Sequence, residues 1–290
     1  MKIIDILKTK SPTVSFEFFP PKNPELEHIL FETMESLNNE KADFASVTFG
    51  AGGSSSDKTL SWTERIKKTC DITTMMHLTC VGFYKSQVDD LIATLKKMNI
   101  QNILALRGDR PEHIPAEQLP SDFIYASDLV EYIRKLTNDI CIGVAGYPET
   151  HPESVSEAND IQMLKTKIDA GGNFIITQLF FDNEKFYRFR DKLSAAGIHV
   201  PVVAGIMPII SASQIVNFTK KCHASLPDKL LKSITECKEN QVMELGINYA
   251  VNQCKDLIKN GIDGLHFYTL NRSVAAKSVL SKLRELNVLP

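Results

Sequence analysis

No two of the six cysteines in this 290-residue chain stand at C-x-x-C spacing, so the sequence suggests neither a zinc cage nor an iron-sulfur site. Cys70, Cys80, Cys141, Cys222, Cys237 and Cys254 are scattered and read as reduced, small hydrophobes. A basic excess is missing too. With 33 Lys and Arg against 35 Asp and Glu the formal net charge is -2, which gives no sign of a nucleic-acid or membrane surface. Any anionic ligand has to be met by local charges. No stretch approaches the ~20 apolar residues of a membrane span, and the start, MKIIDILKTKSPT, holds an apolar run too short for a signal peptide. The expected location is the cytoplasm. There is no G-x-S-x-G elbow, no G-x-G-x-x-G and no His/Glu/Cys set at metal-ligand spacing. The glycine-rich GAGGSSS at residues 50–56 lacks the Walker lysine and is weak as a phosphate cradle.

What the chain does have is repetition. Eight apolar, strand-like runs stand in order: Val14 to Phe19, Phe44 to Phe49, Thr74 to Cys80, Asn102 to Leu106, Ile140 to Ala145, Phe174 to Leu179, Pro201 to Ile206 and Gly264 to Thr269. Between them apolar residues recur at helical spacing, as in Leu26, Ile29, Leu30 and Met34, or Val88, Leu91, Ile92 and Leu95. Alternation of this kind predicts a parallel sheet with helical crossovers. Eight repeats of roughly 30 residues favour closure into a (β/α)8 barrel, a fold of ~250 residues, over an open doubly wound sheet. Two segments depart from the repeat. Arg110 to Asp122 carries three prolines and reads as a long loop after the fourth strand. Ser225 to Asn260 reads as an extra helix, PDKLLKSITECK, ahead of a long helical segment built on Val242, Leu245, Ala250, Cys254 and Leu257. No linker or low-complexity tract divides residues 1–290, so a single domain is expected.

The stretch that organises the rest is VSFEFFPPK, residues 14–22. Alternation sends Val14, Phe16 and Phe18 one way and Ser15, Glu17 and Phe19 the other, until Pro20 and Pro21 end the strand. A carboxylate inside an apolar strand is costly unless paired or neutral. Glu17 is therefore either a proton donor or, more plainly, a side chain that reaches water or a lysine. In a (β/α)8 barrel the chemistry gathers at the carboxyl ends of the strands. There this chain places Glu17, Thr48, His77, the Arg107-Gly108-Asp109 run, Tyr147 and His151, Gln178, the Gly205 to Pro208 turn and Arg272. Any one of them is most often a satisfied core residue. As a set they suit a large planar heteroaromatic cofactor and acid catalysis.

The motifs SFEFFPPK, VTFGAGG, HLTC, LALRGD, YASDLV, YPETHPE, ITQLFFD and GLHFYTLNR, spread over nearly the whole chain, resemble the methylenetetrahydrofolate reductase family. That resemblance implies a flavoprotein barrel that passes hydride from NADH or NADPH through FAD to methylenetetrahydrofolate in ping-pong order, giving methyltetrahydrofolate for one-carbon metabolism and methionine biosynthesis. It implies Glu17 as general acid and Asp109 as the carboxylate beside flavin and pterin. It implies FAD contacts at Thr48, His77, Arg107, Gly108, Asp109, Tyr125, Ala126, Tyr147, His151, Asp160 and Lys167. Substrate contacts are implied at Glu17, Asp109, Gln178, Gln214, Phe218, Leu270 and Arg272. Met163 and Thr166 stand where bacterial members often place polar or basic FAD contacts, and they depart from that pattern. By the same resemblance a homo-oligomer is expected, with a partner subunit as an alternative source of electrons, and the regulatory domain of eukaryotic relatives is expected to be absent. The rival readings are a pterin-binding methyltransferase, which needs no flavin, and a non-catalytic folate or flavin binder.

Overall fold

The computed structural model describes residues 1–21, 23–49, 56–109 and 122–289. Lys22, residues 50–55 of the glycine-rich run and residues 110–121 of the loop expected after the fourth strand lie outside these. The eight strands are β1 (Thr13–Phe18), β2 (Phe44–Val47), β3 (Thr73–Thr79), β4 (Asn102–Leu106), β5 (Cys141–Gly146), β6 (Phe174–Thr177), β7 (Val202–Ile206) and β8 (Gly264–Tyr268). Each pairs in parallel with the next, and β8 pairs back onto β1, so the sheet closes. The expected (β/α)8 barrel is the observed fold. The second and sixth strands stop two residues early, at Val47 and Thr177, where the chain turns into the loops at the barrel's mouth.

The crossovers are helical: α2 (Glu27–Asn38), α3 (Ser56–Cys70), α4 (Lys85–Lys97), α5 (Ala126–Leu136), α6 (Glu157–Asp169) and α7 (Asn183–Ala195), preceded by α1 (Ile3–Thr9). Between β7 and β8 stand α8 (Ala212–Cys222), α9 (Asp228–Glu236) and α10 (Glu239–Lys259), and α11 (Ser273–Glu285) follows β8. The extra helix before the last strand is thus present as α9, with the long α10 after it. In α4 all four periodic residues are buried, whereas Leu26 and Ile29 are exposed. The reason is local: Asn23 caps a short 3-10 turn at Pro24–Leu26, and only from Leu30 onward does the helix turn its apolar face inward, through Leu30, Met34 and Leu37.

Strand alternation sorts the core into two parts. Val14, Phe16, Phe18, Ala45, Val47, Met76, Leu78, Ile103, Ile142, Ile175, Leu265 and Phe267 face the helices. Phe44, Met75, Leu104, Cys141, Phe174, Ile176 and Val203 fill the barrel, together with Ile3 and Leu7 of α1. The first helix, which sequence periodicity did not single out, is therefore a plug in the amino-terminal end of the barrel. Asn102 fastens it: its side chain accepts from Ile3 N at 2.7 Å and donates to Met1 O at 3.0 Å and Thr74 O at 3.1 Å.

At the other end α10 braces the loops that follow β6 and β7. Gln253 Nε2 donates to Phe180 O at 2.9 Å, and the Tyr249 hydroxyl donates to Phe181 O. Gly246 lets the helix come close, because a Cβ there would stand 2.1 Å from Ile209 O. Gly246→Ala gains up to ~1 kcal/mol of helix propensity. Against this, the obstruction is backbone, and overpacking of this kind costs about 1–3 kcal/mol. We expect a net loss of stability, seen as a lower urea midpoint with an unchanged slope.

Candidate active site

A cavity of about 270 Å³ opens at the carboxyl end of the barrel, and seven of the expected residues line it: Glu17, Thr48, His77, Tyr147, Gln178, Phe218 and Leu270. Leu104, Leu106, Ala145, Ile176, Leu179 and Met207 give it an apolar wall. Glu17, Thr48, His77 and Tyr268 cluster at β1, β2, β3 and β8, while the apolar wall comes largely from β4 to β7, with Tyr147 and Gln178 as the polar residues after β5 and β6.

Glu17 sits at the polar side with its side chain 8% exposed. Its Oε2 lies 3.6 Å from His77 Nε2 and 3.8 Å from His266 Nε2. Burial pushes the His77 imidazole down to about 4, so this ring is neutral near neutral pH. Its Nε2 is buried without a hydrogen-bond partner, an exception that calls for a polar atom from outside. Thr48 is buried beside them and its backbone N–H donates to Phe18 O at 2.9 Å, tying the ends of β1 and β2 together. Tyr268 closes the floor. Its hydroxyl donates to Thr177 O at 2.7 Å, a reach possible only because Gly205 has no Cβ, which would lie 2.6 Å from the Tyr268 ring.

A second group forms along β4, β5 and α6. Tyr147 and His151 pack edge to face with ring centroids 4.6 Å apart. His151 N donates to Asp160 Oδ2 at 3.0 Å, and His151 Nδ1 accepts from Glu153 N at 3.1 Å, which leaves its proton on Nε2. Lys167 Nζ donates to Ala145 O at 2.6 Å. Burial lowers the Lys167 ammonium to about 8, opposed by the nearby Asp160. Arg107 forms a bidentate pair with Glu153, Nη2 to Oε1 at 2.7 Å and Nη1 to Oε2, and this hydrogen bonding raises its guanidinium further. Gly108 takes φ +85 to carry the chain from β4 into the loop.

The remaining expected residues lie outside the cavity. Asp109 and Arg272 are exposed at the mouth. Tyr125 projects from the start of α5 with 55% of its surface exposed, and Ala126 is buried beneath it. The Gln214 side chain is turned to its own helix start, accepting from Ile210 N at 3.2 Å. Met163 and Thr166 face outward on α6, and the Thr166 hydroxyl donates to Gln162 O. Leu270 and Asn271 take left-handed φ values of +51 and +56, strain that the Asn271 side chain offsets by exchanging two 2.8 Å hydrogen bonds with the Phe19 backbone. Phe19 and Leu270 thereby form one lip of the cavity.

The sequence reading omitted His266, Ser15 and Ser46. Ser15 pairs with His266 and Glu17 with Ser46 across neighbouring strands. The available signal was the alternation of β8, which puts His266 and Tyr268 on one face.

These strand ends define the class of protein: a (β/α)8 barrel whose ligand site is built from side chains of several different strands at the carboxyl face. Comparison with known proteins then narrows the class. The family model described as Methylenetetrahydrofolate reductase matches residues 2–284, and the chain belongs to that family. It is 38% identical over 284 residues to the 5,10-methylenetetrahydrofolate reductase of Buchnera aphidicola subsp. Schizaphis graminum, covering 95% of each. It is 37% identical over 300 residues to the probable methylenetetrahydrofolate reductase (NADH) of Oryza sativa subsp. japonica, covering 98% of this chain and 50% of the rice protein. The chain thus spans about half the length of the plant and fission-yeast relatives it matches. Among solved structures, a Clostridium thermocellum protein described as binding two copies of 5-methyl-5,6,7,8-tetrahydrofolic acid superposes with a TM-score of 0.68 at 15% identity, covering 99% of both chains. At that identity the likeness is one of fold.

Proposed function

We propose that this barrel is a flavin-dependent methylenetetrahydrofolate reductase, using a nicotinamide as donor and Glu17 as general acid. The observation that carries the reading is a buried carboxyl set at the floor of a cavity walled by apolar and aromatic side chains. A folate pterin needs the same combination: a flat apolar seat and a proton for the ring nitrogen that departs when the methylene bridge opens.

The residues present fit FAD. An orphaned, buried His77 Nε2 offers a ring edge its missing partner. A half-buried ammonium at Lys167, costly to leave beside apolar groups, suits a diphosphate. When bound, FAD supplies the capacity to take hydride from one substrate and give it to the next. In this reading His77 and Thr48 orient the ring system, Lys167 and Arg107 hold its anionic arm, and Tyr125 covers the far end. Gln178, Leu270 and Phe218 seat the folate. Asp109, Gln214 and Arg272 contribute to it from the mouth. The expected result is that purified protein binds FAD non-covalently and shows flavin absorbance. Protein that purifies colourless and takes up no added FAD removes the reductase reading in favour of a flavin-independent pterin transferase.

Phe218 lines the cavity from α8, an element separate from the strand β1 that carries Glu17. In the proposed scheme its ring stacks on nicotinamide and folate in turn, worth about 0.5–1.5 kcal/mol beyond area burial. Phe218→Ala is expected to raise the nicotinamide Kd by up to roughly tenfold, with little change in the rate of flavin reduction at saturation. Stopped-flow reduction across a range of NADH and of NADPH checks this and decides the donor. If neither reduces the flavin, the nicotinamide assignment fails.

A further inference from the structure

α8 stands over the cavity yet packs lightly onto the rest of the molecule. Of its 11 residues only Ile215 is fully buried, while Phe218 and Cys222, one turn apart on the same face, line the cavity half-buried. A helix that buries so little of its own surface takes its place from whatever holds its ends. At the amino end the Ser211 hydroxyl caps it, accepting from Gln214 N at 3.2 Å. At the carboxyl end His223 takes a left-handed φ of +52, and Ala224 N donates back to Thr219 O at 3.1 Å. Ser225 is the next residue, and it is held from elsewhere.

The Ser225 N–H donates to both carboxyl oxygens of Glu149, at 3.1 and 3.2 Å, across from the loop after β5. Lys185 Nζ, in the first turn of α7, donates to Glu149 Oε2 and to Ser225 Oγ, each at 2.5 Å. Glu149 thus joins three elements with a side chain that is 13% exposed. That burial sets it apart from a surface pair such as Lys232 and Glu236, whose members both stay in water. The loop that carries Glu149 is itself fixed: Thr150 N donates to Tyr147 O at 3.3 Å, and Thr150 takes φ +68 to hand the chain on to His151. Tyr147 and His151, whose rings pack together, flank Glu149 in sequence, so one loop serves both the cavity wall and the end of α8.

We infer that Glu149 is a positioning residue: with Lys185 it clasps Ser225, fixes the carboxyl end of α8, and so sets Phe218 and Cys222 against the cavity. The kinetic consequence rests on the function proposed above, whereas the clasp does not. In that scheme the clasp acts on the ligands that meet Phe218 and leaves the hydride step alone, because Glu149, Lys185 and Ser225 are not among the residues that line the cavity.

The test has two arms. In the protein without ligands, amide hydrogen exchange of residues 212–222 is compared with that of α10 in the same molecule. Glu149→Ala should speed exchange in α8 by roughly tenfold and leave α10 unchanged, and Glu149→Gln, which keeps one oxygen for the Ser225 N–H, should fall between it and the wild type. In the FAD-loaded enzyme Glu149→Ala should raise the nicotinamide Kd by up to about tenfold, while flavin reduction at saturation stays within about twofold of the wild type. In a Phe218→Ala background the same substitution should add less than about twofold, because the side chain it positions is already gone. Exchange that rises equally in α8 and α10, or in neither, overturns the clasp, and a full additive loss of affinity in the double variant overturns the route through Phe218. If Glu149→Ala does not fold, Glu149→Gln carries both comparisons. A wild type whose flavin no nicotinamide reduces overturns the nicotinamide assignment, and the exchange arm, read on the empty protein, then decides the clasp by itself.

Discussion

Glu17→Gln is expected to bind FAD, to be reduced by its nicotinamide donor at the wild-type rate, and to be reoxidised by methylenetetrahydrofolate about 10²–10⁴-fold more slowly. Taking hydride from a nicotinamide requires no side-chain proton, whereas opening the methylene bridge leaves a nitrogen that must be protonated. Gln keeps the length and shape of Glu and can still face His77 and His266, so the loss isolates the proton rather than the packing. Stopped-flow flavin absorbance with each substrate alone separates the two halves. Equal slowing of both would make Glu17 a support for the barrel and send the search for the acid elsewhere. Asp109→Asn serves as a contrast, because an exposed carboxylate at the mouth, near Arg107 and Tyr147, is expected to perturb both halves.

The second large effect concerns Lys167. Lys167→Met should weaken FAD binding by roughly 10–100-fold, the loss of one charge-assisted hydrogen bond of about 1.5–3 kcal/mol, while leaving the empty protein folded. The wild type should show a pH dependence with two opposite signs. FAD binding draws on the ammonium form, so affinity is steady below about 8 and declines as pH rises through that value. Stability of the FAD-free protein runs the other way. The folded ammonium titrates at about 8 and the unfolded one at the ordinary 10.5, so between these values the unfolded chain binds more protons and stability rises with pH. The cost of burying the charge is fully present below about 8 and is relieved toward 10.5. Calorimetric titration of FAD and urea unfolding across the same pH range measure the two trends. Parallel trends, or none, would remove Lys167 from the diphosphate site.

Much of this molecule was readable from local pattern. The eight strands and the barrel followed from apolar runs of period two separated by helical periods, because each strand must bury one face against helices and the other against the barrel axis. Glu17, Thr48, His77 and Tyr147 followed from the rule that strand ends converge. Other features depend on neighbours remote in sequence. Ile3 and Leu7 form an unremarkable helical pair until a barrel end exists for them to fill. His266 meets Ser15, 251 positions away, and that pairing is a matter of register between the first and last strands. Lys167 meets Ala145 O only because α6 packs back over β5. The exposed Leu26 and Ile29 show the reverse case, a helical period interrupted by a proline-started turn.

The stopper that α1 makes at the amino-terminal end turns the barrel into a blind tube. Ile3 and Leu7, 0% and 6% exposed, fill the lower end of the barrel, and the cavity lies at the opposite end, where Phe19 and Leu270 form a lip. Under the function proposed above, nicotinamide and folate would share that one entrance, and an excess of either is expected to slow turnover with the other, seen as substrate inhibition in steady-state assays.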